Sequence, residues 1–170
     1  MNLGLNRTKV ILKPYSKNYP QLYKTESTNL QKALLQCIVD IQHVGSTAMP
    51  LVCSKPIIDI CLGVDTQTYQ NYLPIQNTLE QLGYAFRHDF FDRKFFAKGP
   101  ANCRTHYLHL AVYKGPQWLK MLKFRDTLNS NPHLAKQYNQ LKLDLAAKYP
   151  NQRKLYTSSK AKFIDQMLNT

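Results

Sequence analysis

The sequence predicts an α/β (α+β) fold in which a mixed β-sheet is flanked by helices and a helical C-terminal third packs on it. Two patterns carry this expectation. β-rich runs alternate with helical periodicity through the first two-thirds of the chain, and helical spacing then continues almost unbroken from about residue 115. There are no internal repeats and no low-complexity linker, so residues 1–170 read as one domain.

Taken in order, residues 8–15 (TKVILKPY) read as a short strand ended by Pro14. Residues 18–38 read as a helix, because Leu22, Leu30, Ala33, Leu34, Cys37 and Ile38 fall on one stripe. Residues 39–44 (VDIQHV) alternate as a half-buried strand does, and Gly45-Ser46-Thr47 breaks the pattern. After Pro56 comes the β-rich run 57–64 (IIDICLGV), followed by a helix over 68–82 that Gly83 stops. Strands over 92–98 and 104–113 follow, separated by a Gly-Pro turn. Helices over 115–129, 132–148 and 158–168 complete the chain, with Pro132 suited to a first turn and Ser158 to a cap.

Composition narrows the function. The formal net charge is +13, from 23 Lys+Arg against 10 Asp+Glu, which favours an anionic partner: a nucleotide, a phosphorylated metabolite or a nucleic acid. The basic residues are spread along the chain with no arginine-rich tail, which speaks against nucleic acid, since that partner favours a clustered stripe. No stretch approaches the ~18–20 apolar residues of a membrane helix. The N-terminus has no apolar block with a small-residue cleavage site, so the expected compartment is the cytoplasm. Cys37, Cys53, Cys61 and Cys103 lack metal-binding spacing and read as reduced thiols.

The stretch HVGSTAMPLVCSKPIIDI, residues 43–60, concentrates the chemistry. A Gly-Ser turn after a strand lets phosphate approach the main chain, and the hydroxyls of Ser46 and Thr47 can donate to it. His43 precedes the turn, Lys55 supplies a point charge, and Asp59 can hold a divalent cation that neutralises phosphate. The same stretch also reads as an ordinary turn beside an aspartate that accepts backbone hydrogen bonds. Later in the chain, Arg93, Lys98 and Arg104 flank neighbouring strands, as one wall of an anion pocket or as solubilising charges on a sheet edge. His109 is a proton carrier or phosphate donor, or else a structural histidine. On a strand, His106 and His109 point to opposite faces, so they cannot chelate one zinc ion with Cys103. Lys160, in the first turn of a helix, is misplaced for the helix dipole and suggests an anionic neighbour, unless solvent screens it.

The order Val44-Gly45-Ser46, a gap, then Asp59-Ile60-Cys61-Leu62 resembles the nucleotidyltransferase pattern of a hydrophobic-Gly-Ser turn followed by alternating acids. More closely, VILKPYSKNYPQLY, HVGSTAMP, KPIIDI, RTHYLHLAVY, FRDTLNSNPHLAKQYNQLK and LYTSSKAKFIDQML together resemble the GrpB family, which also occurs fused to dephospho-CoA kinase. The resemblance implies a nucleotidyltransferase-like fold, a phosphate turn at Gly45 and Ser46, and Mg²⁺ held by Asp59. The second acid of the pattern falls on Cys61, a poor Mg²⁺ ligand. Two functions therefore stand side by side: a nucleotidyltransferase-like protein that binds a nucleotide or phosphorylated small molecule, with Mg²⁺-dependent nucleotidyl transfer as the reaction it could carry out, and a catalytically degenerate module of the same fold that only holds an anionic ligand.

Overall fold

A computed structural model of the chain describes residues 3–169. Helix α1 (Tyr19–Ala33) leads into strand β1 (Asp40–Val44), a short 3₁₀ turn (Ser46–Ala48) and strand β2 (Ile58–Val64). Helices α2 (Thr66–Gln70) and α3 (Leu73–Gln81) precede three more strands, β3 (Tyr84–Phe90), β4 (Arg93–Lys98) and β5 (His106–Val112). Helices α4 (Pro116–Ser130), α5 (Pro132–Lys148), α6 (Arg153–Ser158) and α7 (Ala161–Leu168) end the chain. The strands form one mixed sheet in the order β1-β2-β5-β4-β3; β2 and β5 are parallel and every other pair is antiparallel.

Each face of the sheet follows from strand alternation. Ile58, Ile60, Leu62 and Val64 of β2 point to one side with Leu108 and Leu110 of β5 and Phe96 of β4, where Tyr19 and Leu30 of α1 and Ile75 and Leu79 of α3 cover them. The opposite face carries Asp59, Cys61, Tyr107, His109 and Ala111. Over its β1–β2–β5 half lies α4, whose Trp118 packs with Val44, Cys61 and Ala111. Gly63 is required there, because a Cβ would meet the Trp118 ring at 2.7 Å. A second apolar cluster joins the C-terminal helices through Leu128, Ala135, Tyr138 and Met167.

Several expected elements differ. Residues 8–15 form no strand; the segment touches the rest of the chain through an isolated bridge of Lys13 to Ser54, and Val10 N–H bonds the Pro150 carbonyl, so its partners are loops. The first helix ends at Ala33, and Leu34, Cys37 and Ile38 continue the apolar stripe in a turn that still covers the core. The expected helix 68–82 is split: Asp65 caps α2, and Pro74 opens α3 in a first turn that needs no donor. Strand β3 was not expected; it is the sheet edge, mostly exposed, and a bulge at Arg87 breaks its alternation. Ser158 ends α6 rather than capping a helix, and Lys160 lies at the N-cap of α7 rather than in its first turn.

Asn131 ends α4 and begins α5, its side chain accepting from Leu134 N–H at 3.0 Å. Asn131→Ala is expected to lower stability by about 1 kcal/mol through this cap, and Trp118→Ala by about 3–5 kcal/mol through the cavity it leaves. Urea titrations measure both; equal losses would show that the α4–sheet contact is not a core contact.

Candidate functional site

The end of β1 and the start of β2 are locked together. Val44 pairs with Asp59 across the two strands, and the chain leaves β1 through Gly45 at φ +68°. A Cβ at Gly45 would lie 2.6 Å from Asp59 Oδ2 and 2.8 Å from Asp59 Cβ, so two reasons require glycine here. The carboxylate thereby rests against the turn instead of entering the apolar core, and its side chain keeps 28% of its surface exposed.

The turn and the acid open onto a cleft of about 230 Å³, lined by Gly45, Ser46, Thr47, Lys55, Asp59 and His109 on the sheet side and by Tyr138, Lys142, Tyr156 and Lys160 on the helical side. Three lysines converge on one acid. Lys142, only 2% exposed, donates to Ser46 Oγ at 2.6 Å and to the Cys53 carbonyl. Burial, reinforced by Lys160, brings its pKa down to about 7. Burial likewise lowers Lys160 to about 8, with Asp59 opposing the shift, and depresses Lys55 strongly, with Arg153 and Lys160 adding to it. Tyr156 lies between two of these cations, with Lys160 Nζ 4.5 Å and Lys55 Nζ 5.6 Å from its ring centroid; Lys142 Nζ is 5.4 Å from that of Tyr138. None of the ion pairs among the described residues involves these lysines.

His109 stands beside the acid, Nε2 3.8 Å from Asp59 Oδ1, and its buried Nδ1 has no hydrogen-bond partner. At that separation the two groups are neighbours in the cleft wall and not hydrogen-bonded to each other. Cys61 shares the face of Asp59 but is fully buried under Trp118; burial pushes its thiol up to about 12, so it stays protonated. Thr47 lines the cleft but is buried and bonded to His43 Nε2 at 3.0 Å.

Four expected ligand residues lie elsewhere. His43 pairs with Ile60, so it points to the other face, where its ring stacks on Tyr23 at 4.6 Å; burial brings its pKa down to about 4. Arg93 and Arg104 line a second, larger depression rather than the cleft, and Arg104 is buried with its guanidinium on the Gly99 carbonyl. Lys98 is on the opposite face from both, paired with Glu26 at 2.8 Å, and forms no wall with them. His106 is buried on that face too, away from His109, as strand alternation requires. Arg125 and Asp126 pair with each other despite adjacency, at 2.7 and 3.1 Å, while Arg125 also bonds the His43 carbonyl and ties α4 to β1.

Residues 9–170 match the model of the family described as GrpB protein. The chain belongs to the GrpB family. It is 38% identical over 176 residues to a glutamate-rich protein GrpB of Alkalihalophilus pseudofirmus, covering 98% of each chain. It is 29% identical to the UPF0157 protein YqkA of Bacillus subtilis, covering 93% of this chain and 46% of that one. A crystal structure of a conserved GrpB protein from Enterococcus faecalis superposes with a TM-score of 0.83 at 29% identity, covering 92% of this chain and 94% of that one. A mutant Cid1 poly(U) polymerase bound to MgATP gives a TM-score of 0.49 at 11% identity, over 78% of this chain and 45% of that one; a likeness so remote transfers no property.

Lys142 and Tyr156 are site residues that the sequence reading passed over. Lys142 follows Tyr138 by four positions on α5, so its place on the apolar stripe was a visible anomaly: a cation on a core-facing position needs a reason to be there. Gly45→Ala is expected to cost about 1–3 kcal/mol through the positive φ, and more if the Asp59 carboxylate cannot move aside. Thermal unfolding beside Gly83→Ala, at a glycine that shares the positive φ but whose Cβ would make only ordinary contacts, separates the two costs; equal losses would mean that the Asp59 contact adds nothing to the backbone requirement.

Proposed function

We propose that the cleft binds the phosphate group of a nucleotide or phosphorylated small molecule. The observation that carries this reading is the convergence of Lys55, Lys142 and Lys160 on one small cavity that contains a single carboxylate. Charging three lysines in one partly desolvated site is costly, and an anion removes much of that cost. Gly45 leaves the main chain approachable, Ser46 offers a hydroxyl held by Lys142, and the order of turn and acid is that of the nucleotidyltransferase pattern.

Mg²⁺ fits this site only together with the ligand. It requires oxygen donors, Asp59 supplies one carboxylate, and Cys61 supplies none. Among the described residues no group of three or more His, Cys, Asp or Glu side chains could hold a metal ion. Asp59 would hold the cation jointly with ligand phosphate oxygens, and the ion would offset phosphate charge. The chain's own residues would do the rest: the lysines bind and orient the phosphates, and His109 exchanges a proton beside Asp59. With one protein carboxylate, the geometry supports binding more strongly than transfer. The four free cysteines suit a reducing compartment, and we place this activity in the cytoplasm.

The test is calorimetric titration of the purified protein with ATP, CoA precursors and sugar phosphates, with Mg²⁺ or with EDTA. At least one ligand is expected to bind under both conditions, more tightly with Mg²⁺, and Asp59→Asn is expected to remove only the Mg²⁺-dependent part. Lys142→Met is expected to weaken binding by about 1.5–3 kcal/mol, the worth of a hydrogen bond to a charged group. Absence of binding across the whole panel would overturn the reading.

The lysines also set the pH dependence. Lys142 and Lys160 titrate near 7 and 8 in the free protein, so rising pH strips positive charge from the cleft. An anion favours the charged forms and raises both values. Affinity is therefore expected to fall as pH rises from about 7 to 9, and binding at pH about 8 to take up protons. Titrations in two buffers of different ionisation enthalpy measure the uptake; proton release would contradict it.

A further inference from the structure

The same face of the sheet is left bare by helices over β4 and β3, and there it forms a groove of about 980 Å³. Its wall carries Arg7, Arg87, Arg93, Arg104, Arg153 and Lys154, and among the described residues no acidic one lines it. Arg93 is partly neutralised by Asp92 at 3.0 Å; Arg7, Arg87 and Lys154 are exposed and in none of the ion pairs among the described residues. The bulge at Arg87 keeps two successive residues, Arg87 and His88, on the groove side. Aromatic rings form the floor: Phe95 lies 5.2 Å from Tyr107 and 6.3 Å from Phe90. Arg93 stacks over Phe90 at 4.2 Å, and Arg153 bonds the Tyr107 hydroxyl at 2.6 Å. Phe91, at the tip of the β3–β4 hairpin, is fully exposed.

We propose that this groove binds single-stranded nucleic acid and leads the end of the strand to the phosphate cleft. The combination is specific: cations track a phosphate backbone, and ring faces at their feet stack bases. A duplex hides its base faces, an acidic peptide has no use for a row of stacking rings, and a lipid surface is flat where this groove is concave. Lys55, His109 and Thr157 line both the groove and the cleft, so the two are continuous. The inference rests on the phosphate reading of the cleft only for where the strand ends. The cations involved are scattered from residue 7 to residue 154, so the clustered stripe absent from the sequence is assembled by the fold.

The test is fluorescence anisotropy of the full chain with a labelled single-stranded RNA of about 12 nucleotides, its DNA equivalent, the matching duplex and heparin as competitors. Either single strand is expected to bind, with affinity that falls steeply with salt, and to be displaced poorly by the duplex. Phe90→Ala is expected to weaken binding about 10-fold, the loss of one stacked base, and Arg87→Glu with Lys154→Glu by more. Both variants are expected to keep the ATP titration of the cleft. No strand binding at about 50 mM salt overturns the proposal, as does equal competition by duplex or heparin with no effect of Phe90→Ala. Strand binding without binding of any ligand in the cleft panel would remove the cleft reading and leave the groove; binding of a panel ligand without strand binding would do the reverse.

Discussion

The contact of Gly45 with the Asp59 carboxylate is the constraint on which the site depends. Two neighbouring antiparallel strands would ordinarily place side chains on both partners where Val44 faces Asp59. Removing the side chain just beyond that pair lets the main chain fold over the acid, with the nearest carboxylate oxygen 2.6 Å from where a Cβ would stand. The turn then directs Ser46 toward α5, and Lys142 reaches across to it and to the Cys53 carbonyl. One missing methyl group thus fixes the acid, the hydroxyl and the first lysine relative to one another.

The lysines are the energetic counterpart. A buried ammonium is costly unless an opposite charge or a set of acceptors compensates it. Here the compensation is partial: two acceptors for Lys142 and tyrosine rings for all three. The remaining cost appears as depressed pKa values, which is how a fold stores affinity for an anion. A purely structural role would favour methionine or leucine at position 142, which would pack on Tyr138 without desolvating a charge.

The sheet and its buried face were legible because apolar alternation and β-branched residues mark β2 and β5 plainly. So was the nearness of the Gly-Ser turn to Asp59, since a short strand, a turn and a returning strand leave few alternatives. His43 was misplaced by simple proximity in sequence: it adjoins the turn, but strand parity sends it to the far face. Strand β3 was missed because an edge strand with a bulge carries neither clean alternation nor an apolar run. The cation at 142 stood out locally on an apolar stripe, but what it faces, and the joining of Arg7, Arg87 and Arg153 to Arg93 and Arg104, depend on contacts between segments far apart in the chain.

The distribution of charge follows from how the sheet is covered. Helix α4 shields the β1–β2–β5 half of one face with Trp118, and apolar residues pack beneath it. Among the described residues no helix packs over β4 and β3 on that face, so its residues must tolerate water, and Phe95, with Tyr107 of β5 beside it, does so only under a rim of arginines. Cleft and groove meet at Lys55, His109 and Thr157. Lys55 feels Arg153 from the groove side and Asp59 from the cleft side. An anion in either space therefore favours the charged form of the same lysine and, through it, alters the field in the other. Two adjoining sites that share a titratable cation are energetically coupled, by an amount that depends on pH.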